Sequence, residues 1–185
     1  MDISGEYQIA ASREAVWRAL NDPAMLQKCI QGCESLERTG EDEFQGKVAA
    51  AIGPVRAKFN VLLKVENAVP PQSYTLTGES KAGPVGFGRG SADVSLKERD
   101  GGTLLTYTAA FKVGGKLAQV GSRLVVGATK KTADDFFGCL SRELAPGGPG
   151  EEAAEGAASA AGHSRLPLVA GLVVAGLLVW WFLVR

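Results

Sequence analysis

Histidine is almost missing from this sequence: there is one in 185 residues, His163, and it stands in a stretch of small residues outside any patterned segment. The patterned part therefore has no imidazole to act as a general base, and its serines and threonines have no partner base beside them. Its acids are scattered, with no pair that spacing would bring together in a core, so no catalytic residue is assigned. Only a lone Lys or Glu remains for acid–base work. Cysteine is scarce too. Cys29, Cys33 and Cys139 are an odd set, and three residues separate the first two, not the two of a redox or zinc-ribbon motif. No metal site is expected, and the odd count fits inert thiols in a reducing compartment. Excess charge is absent as well. The 20 Lys and Arg balance the 20 Asp and Glu, which argues against a nucleic-acid partner. The opening MDISGEYQIAASREAVW carries acids and no apolar run, so it does not read as a secretory leader.

A phosphate-binding loop is also missing, although GPVGFGRGS, Gly83 to Ser91, looks like one. A dinucleotide fingerprint starting at Gly86 needs glycine where Ser91 stands. The following SADVSLKER is patterned as a strand, so no helix N-terminus is offered to a phosphate. These glycines are read as permitting a strand bend or a close approach.

What the sequence does have is one long apolar run. From Leu166 to Val184 no side chain is charged, Arg165 and Arg185 flank the run, and Trp180 and Trp181 lie near its far end. As a helix it would span about 30 Å, the hydrocarbon thickness of a bilayer. A buried core helix would keep a polar stripe. Residues 166–184 are therefore expected to be a transmembrane anchor, with the paired Trp at an interface. Gly171 and Ala175 make a weak small-xxx-small match for pairing of spans. Such a span leaves the ribosome only after synthesis ends, so the preceding domain is expected to stay in the cytoplasm. Residues 145–165, APGGPGEEAAEGAASAAGHSR, have nothing to bury and read as a flexible linker.

Residues 1–144 are patterned as a domain. Met1 to Ile9 reads as a strand. Ser12 is an N-cap for a short helix with Ala15, Val16, Ala19 and Leu20 on one face, and Pro23 opens a second helix through Cys29. From Glu34 to Val113 the period changes to two. Val55, Ala57, Phe59, Val61, Leu63 and Val65 alternate without a break, and Leu105, Tyr107, Ala109, Phe111 and Val113 close the series. Turn signals such as Gly53-Pro54, Gly83-Pro84 and Asp100-Gly101-Gly102 divide it into about six antiparallel strands. Leu117, Val120, Leu124, Ala128, Phe136, Leu140 and Leu144 then form the stripe of one long helix. This order predicts an α+β, helix-grip fold: a curved antiparallel sheet wrapped around a long C-terminal helix, with a cavity between them. Gly121 and Gly127 are placed on that helix, where each costs about 1 kcal/mol relative to Ala. Small residues there suit either tight packing on the sheet or space for an apolar ligand.

At these residues the chain resembles a known family. GGKLAQVGSRL, Gly114 to Leu124, is similar to the signature of the CoxG subunit of carbon monoxide dehydrogenase, within the START and Bet v 1-like superfamily of helix-grip lipid- and polyketide-binding domains. The likeness continues in VWRALNDPAMLQKCIQGCESL, PPQSYTLTGES, GFGRGSADVSL, TLLTY and DDFF, and covers about residues 1 to 144. Where the family pattern has Pro before Gly32-Cys33, this chain has Gln31. The resemblance implies a non-catalytic accessory protein that attaches a cytoplasmic molybdenum hydroxylase, carbon monoxide dehydrogenase-like, to the inner membrane. The expected partners are that enzyme complex, the membrane, and an apolar small molecule (a quinone or a lipid). No metal and no resident cofactor are expected beyond a bound quinone that would link enzyme and respiratory chain. The expected cavity wall is Phe59, Val61, Leu76, Tyr107, Phe111, Leu117, Val120, Gly121 and Leu124. Two other readings stay open: a lipid-binding or lipid-transfer domain without an enzyme partner, and a small cyclase or hydrolase of the same fold.

Overall fold

Alternation of covered and exposed side chains runs along most of the strands and sets which face of the sheet turns inward. The computed structural model describes residues 1–146. Seven strands, β1 (Asp2–Ile9), β2 (Cys33–Arg38), β3 (Glu43–Ile52), β4 (Val55–Val69), β5 (Ser73–Lys81), β6 (Gly86–Arg99) and β7 (Gly102–Gly115), form one antiparallel sheet in the order β1-β7-β6-β5-β4-β3-β2. β2 to β7 are the meander expected from the sequence, and β1 closes the other edge by pairing with β7. The β3–β4 turn, the β5–β6 connection and the end of β7 share one end of the sheet, called here the upper pole. The β2–β3, β4–β5 and β6–β7 turns mark the lower pole.

Helices α1 (Arg13–Leu20) and α2 (Pro23–Cys29) connect β1 to β2. Ser12 Oγ accepts the Ala15 N–H at 3.2 Å and caps α1. Asp22, not anticipated as a cap, accepts the Ala24 N–H at 3.0 Å, with Pro23 opening α2. Val16, Ala19 and Leu20 of α1 are buried, as the spacing requires.

The long C-terminal helix is not continuous. It divides into α3 (Lys116–Gln119) and α4 (Ser122–Glu143). Gly121, expected on the helix, instead stands between the two, at φ +95°, a backbone region essentially closed to residues with a Cβ. The break also rotates Leu124 out of the stripe, so that α4 covers Val125, Phe137 and Leu140 while Leu124 is 54% exposed.

α4 lies against the lower half of the sheet through an aromatic stack. The Tyr7 and Phe137 rings are 4.4 Å apart between centroids, and Tyr107 stacks on Phe137 at 5.7 Å. Around them Ile9, Val16, Leu36, Phe44, Leu96, Leu105 and Leu140 form the core. Cys29 on α2 and Cys139 on α4 form a disulfide, with Cα atoms 5.4 Å apart, and Cys33 is free. This corrects the reading of three inert thiols. The bonded pair is 110 residues apart in the chain, and only the docking of α4 on α2 brings it together.

The α+β fold with a curved antiparallel sheet and a C-terminal helix is therefore as anticipated. Apart from Ala145 and Pro146, the linker expected over 145–165 and the anchor expected over 166–184 lie outside the described residues. Among the described residues no helix is long and apolar enough to cross a membrane.

Candidate functional site

The inward face of the sheet loses bulk toward the upper pole. Along β6 the inward residues run Leu96, Val94, Ala92, Gly90 and Gly88, and along β5 they run Tyr74, Leu76, Gly78 and Ser80. The two series lie side by side, with Tyr74 opposite Val94, Leu76 opposite Ala92 and Gly78 opposite Gly90. On β7 the small position is Ala109, opposite Ala92. α3 and the first turns of α4 cross above these small residues without filling the space. The result is an apolar cavity of about 410 Å³, within the range of small-molecule sites.

Five of the residues expected at its wall are there: Phe59 and Val61 on β4, Leu76 on β5, Phe111 on β7 and Leu117 on α3. Four are not. Tyr107 is buried in the aromatic stack below, its ring lying over Gly5 on the neighbouring strand. Val120 and Leu124 turn outward against the β3–β4 turn. A Cβ placed on Gly53 would sit 3.2 Å from Val120 Cγ1 and 3.6 Å from Leu124 Cδ1. Gly121 is exposed, and a Cβ there would meet nothing within 4 Å, so it borders open space and not the sheet.

Other wall residues escaped the sequence reading: Ile3 on β1, Val48, Ala50 and Ile52 on β3, the glycines and Ala92 of β6, and Val125 and Thr129 of α4. The falling size of the inward residues along GFGRGSADVSL was the signal that could have found those of β6. Gly90 also shows why glycine is needed there. An added Cβ would lie 2.5 Å from the Ala110 carbonyl oxygen and 2.7 Å from Phe111 Cβ.

The cavity is electrostatically quiet. Two of its hydroxyls are engaged: Thr129 Oγ1 donates to the Val125 carbonyl at 2.9 Å, and Ser80 Oγ to the Gly88 carbonyl at 3.5 Å. Glu79, Arg89 and Lys112 border it from exposed strand positions. The groups with displaced pKa values lie elsewhere. Burial pushes the Tyr74 phenol well above its ordinary value. Burial, and then the 2.6 Å bond from its hydroxyl to Asp134 Oδ1, do the same for Tyr7. Burial also raises Tyr107, whose hydroxyl is enclosed without a hydrogen-bond partner, and the Cys33 thiol. Among the described residues no three His, Cys, Asp or Glu side chains converge to hold a metal. A larger depression, about 580 Å³, lies around Leu62, Lys64, Thr77, Glu79, Arg89 and Lys112, whose mixed charges suit solvent better than an apolar guest.

A space walled mainly by aliphatic and aromatic side chains can hold a hydrophobic molecule. Comparison with known proteins bears on this. The family model of CoxG, a subunit of carbon monoxide dehydrogenase, matches residues 5–145. A conserved protein from Geobacillus kaustophilus is 35% identical, with a TM-score of 0.73, over 78% of this chain and 95% of that one. The fold is shared at lower identity with Ara h 8.0201 (14% identity, TM-score 0.56, 75% of this chain and 94% of that one). It is shared too with the ZhuI aromatase/cyclase from Streptomyces sp. R1128 (11% identity, TM-score 0.56, 78% and 93%). No match was found among curated proteins.

Proposed function

Because the chain belongs to the CoxG family of carbon monoxide dehydrogenase subunits, we propose that it is a membrane-held accessory protein of a molybdenum hydroxylase, carrying an apolar ligand such as quinone between bilayer and enzyme. Family and fold point to an accessory role with a hydrophobic ligand. The observation that carries the finer reading is the cavity itself: about 410 Å³ of space walled by Val48, Phe59, Val61, Phe111 and Leu117. An isoprenoid chain suits such a wall, because it asks for no hydrogen bonds, while the quinone carbonyls would stay toward the opening. The apolar run Leu166–Val184 supplies the anchor in this reading, placing the domain on the cytoplasmic side of the inner membrane. Tethering raises the effective concentration of carrier and enzyme near the acceptor.

The test is direct. Full-length protein taken from its own membranes should release quinone on solvent extraction, and Ala50→Phe, which puts a ring into the cavity, should remove it from a folded protein. Deleting the gene should move the partner hydroxylase from membrane to cytosol while its activity with a soluble dye persists. Quinone missing from the wild type, or unchanged in the variant, would refute the carrier. The same wall accepts acyl chains, so lipid in the extract in place of quinone would favour a lipid-binding domain.

A further inference from the structure

The zero net charge of the chain conceals a strong asymmetry. From Gly101 to Ala133 there is no Asp or Glu at all. This stretch includes the end of β7, α3 and the start of α4, and brings Lys112, Lys116 and Arg123 to the upper pole. Arg56 follows the β3–β4 turn and Arg89 the β5–β6 connection at the same pole. All five are exposed, and none has an ion-pair partner among the described residues. Of the nearby acids, Glu34 and Glu79 are taken by Lys58 and Lys81, which leaves Asp2. The lower pole carries more acids, but most are paired: Glu66 with Lys64, Glu98 with Arg13 and Asp100 with Arg99, beside Glu41 and Asp42 in the β2–β3 turn.

Two large apolar side chains stand exposed at the basic pole. Phe87, 45% exposed, lies near the start of β6 two residues before Arg89, and Leu124, 54% exposed, stands in the first turn of α4 beside Arg123. Exposed apolar tips among unpaired cations match the two forces that hold peripheral domains to anionic lipid: insertion of apolar groups and attraction to phosphates. We propose that the upper pole docks on an anionic bilayer surface, with Phe87 and Leu124 entering the headgroup layer and Arg56, Lys116 and Arg123 meeting the phosphates. Docked this way, the end of the domain that holds the cavity faces the lipid. The tether permits it. α4 is about 33 Å long, whereas residues 144–165 fully extended reach about 70 Å, so an anchor leaving the lower end does not hold the upper pole away.

This inference deepens the carrier reading and rests on it for its purpose, but its test contains no quinone, so either can fail alone. Full-length protein is reconstituted into liposomes of phosphatidylcholine with or without about one-third phosphatidylglycerol, and amide hydrogen exchange is followed by mass spectrometry. The anchor is present in both, so any difference reports docking. Segments 83–88 and 116–124 should exchange several-fold more slowly on the anionic liposomes. Each cation near such a surface is worth about fivefold in binding, so Lys116→Gln with Arg123→Gln should weaken docking by about 30-fold and abolish the protection. Phe87→Ser with Leu124→Ser should do the same with the charge intact, and unchanged thermal melts would show both variants folded. Equal exchange on the two liposomes, or protection at the lower pole instead, overturns the proposal. Protection that appears only when purified hydroxylase is added also overturns it and makes the pole a protein interface.

Discussion

Along β6 the inward positions below Ala92 carry Val94 and Leu96, 7% and 2% exposed, whereas above it they carry only Gly90 and Gly88. The same strand, with the same alternation, serves a filled core in one half and the wall of a cavity in the other. Below, Tyr7, Phe137 and Tyr107 stack ring on ring, and Leu105 and Leu140 are fully buried. Above, side chains of the same polarity but less bulk leave about 410 Å³ open. Alternation thus decides which way a residue faces, while its volume decides whether the space is closed. The lower half can stabilise the domain, which frees the upper half to remain unfilled.

The largest expected effect lies in the filled half. Leu105→Ala removes a side chain with no exposure and should cost about 2 to 5 kcal/mol in urea unfolding. Leu76→Ala, half-buried beside the cavity, should cost less than half as much. Equal costs would erase the distinction between the halves.

Bulk added to each half should separate them next. Val94→Trp overfills a packed site and should destabilise by about 1 to 3 kcal/mol, whereas Ala50→Phe enters existing space and should cost less while displacing the ligand. Paired measurements of melting temperature and extracted ligand check this.

A pH effect comes third and belongs to the filled half alone. Burial keeps the Tyr74 phenol protonated in the folded chain above its ordinary pKa of 10.0. The unfolded chain loses that proton from about pH 10, so above that pH it binds fewer protons than the folded one. The stabilisation from neutral Tyr74 is complete below about pH 10 and declines as pH rises, by up to about 1.4 kcal/mol per unit. Tyr74→Phe should flatten the alkaline limb of a stability–pH curve, and an unchanged limb would mean that Tyr74 is hydrated.

The smallest effect tests whether the halves are independent. Ser12→Ala removes the α1 cap and should cost about 1 kcal/mol with ligand content unchanged. Ligand loss in that variant would show the filled half transmitting strain to the cavity.

Much of the fold was legible because strand periodicity and turn residues are local signals. The alternation from Val55 to Val65 and from Leu105 to Val113 placed every one of those side chains on its proper face. Ser12 and Pro23 marked helix starts for equally local reasons. The site was half legible. Phe59, Val61, Leu76, Phe111 and Leu117 follow from facing inward, but Tyr107 faces inward just as well and lies in the filled half, because Gly5 and Phe137 receive its ring. Val120, Gly121 and Leu124 failed for another reason. A helical stripe was extended through a glycine whose backbone cannot continue a helix, and the break redirected all three.

The sequence by itself determined the order of elements, the inward face of each strand, the exclusion of a phosphate loop, and the family, because each depends on residues within a few positions of one another. Tertiary structure alone decided the rest. The Cys29–Cys139 bond, the boundary between packed core and cavity, and the gathering of Arg56, Arg89, Lys116 and Arg123 at one pole all join residues far apart in the chain. Such meetings depend on which strands adjoin and where α4 comes down on them, and neither quantity has a local periodicity from which to be read.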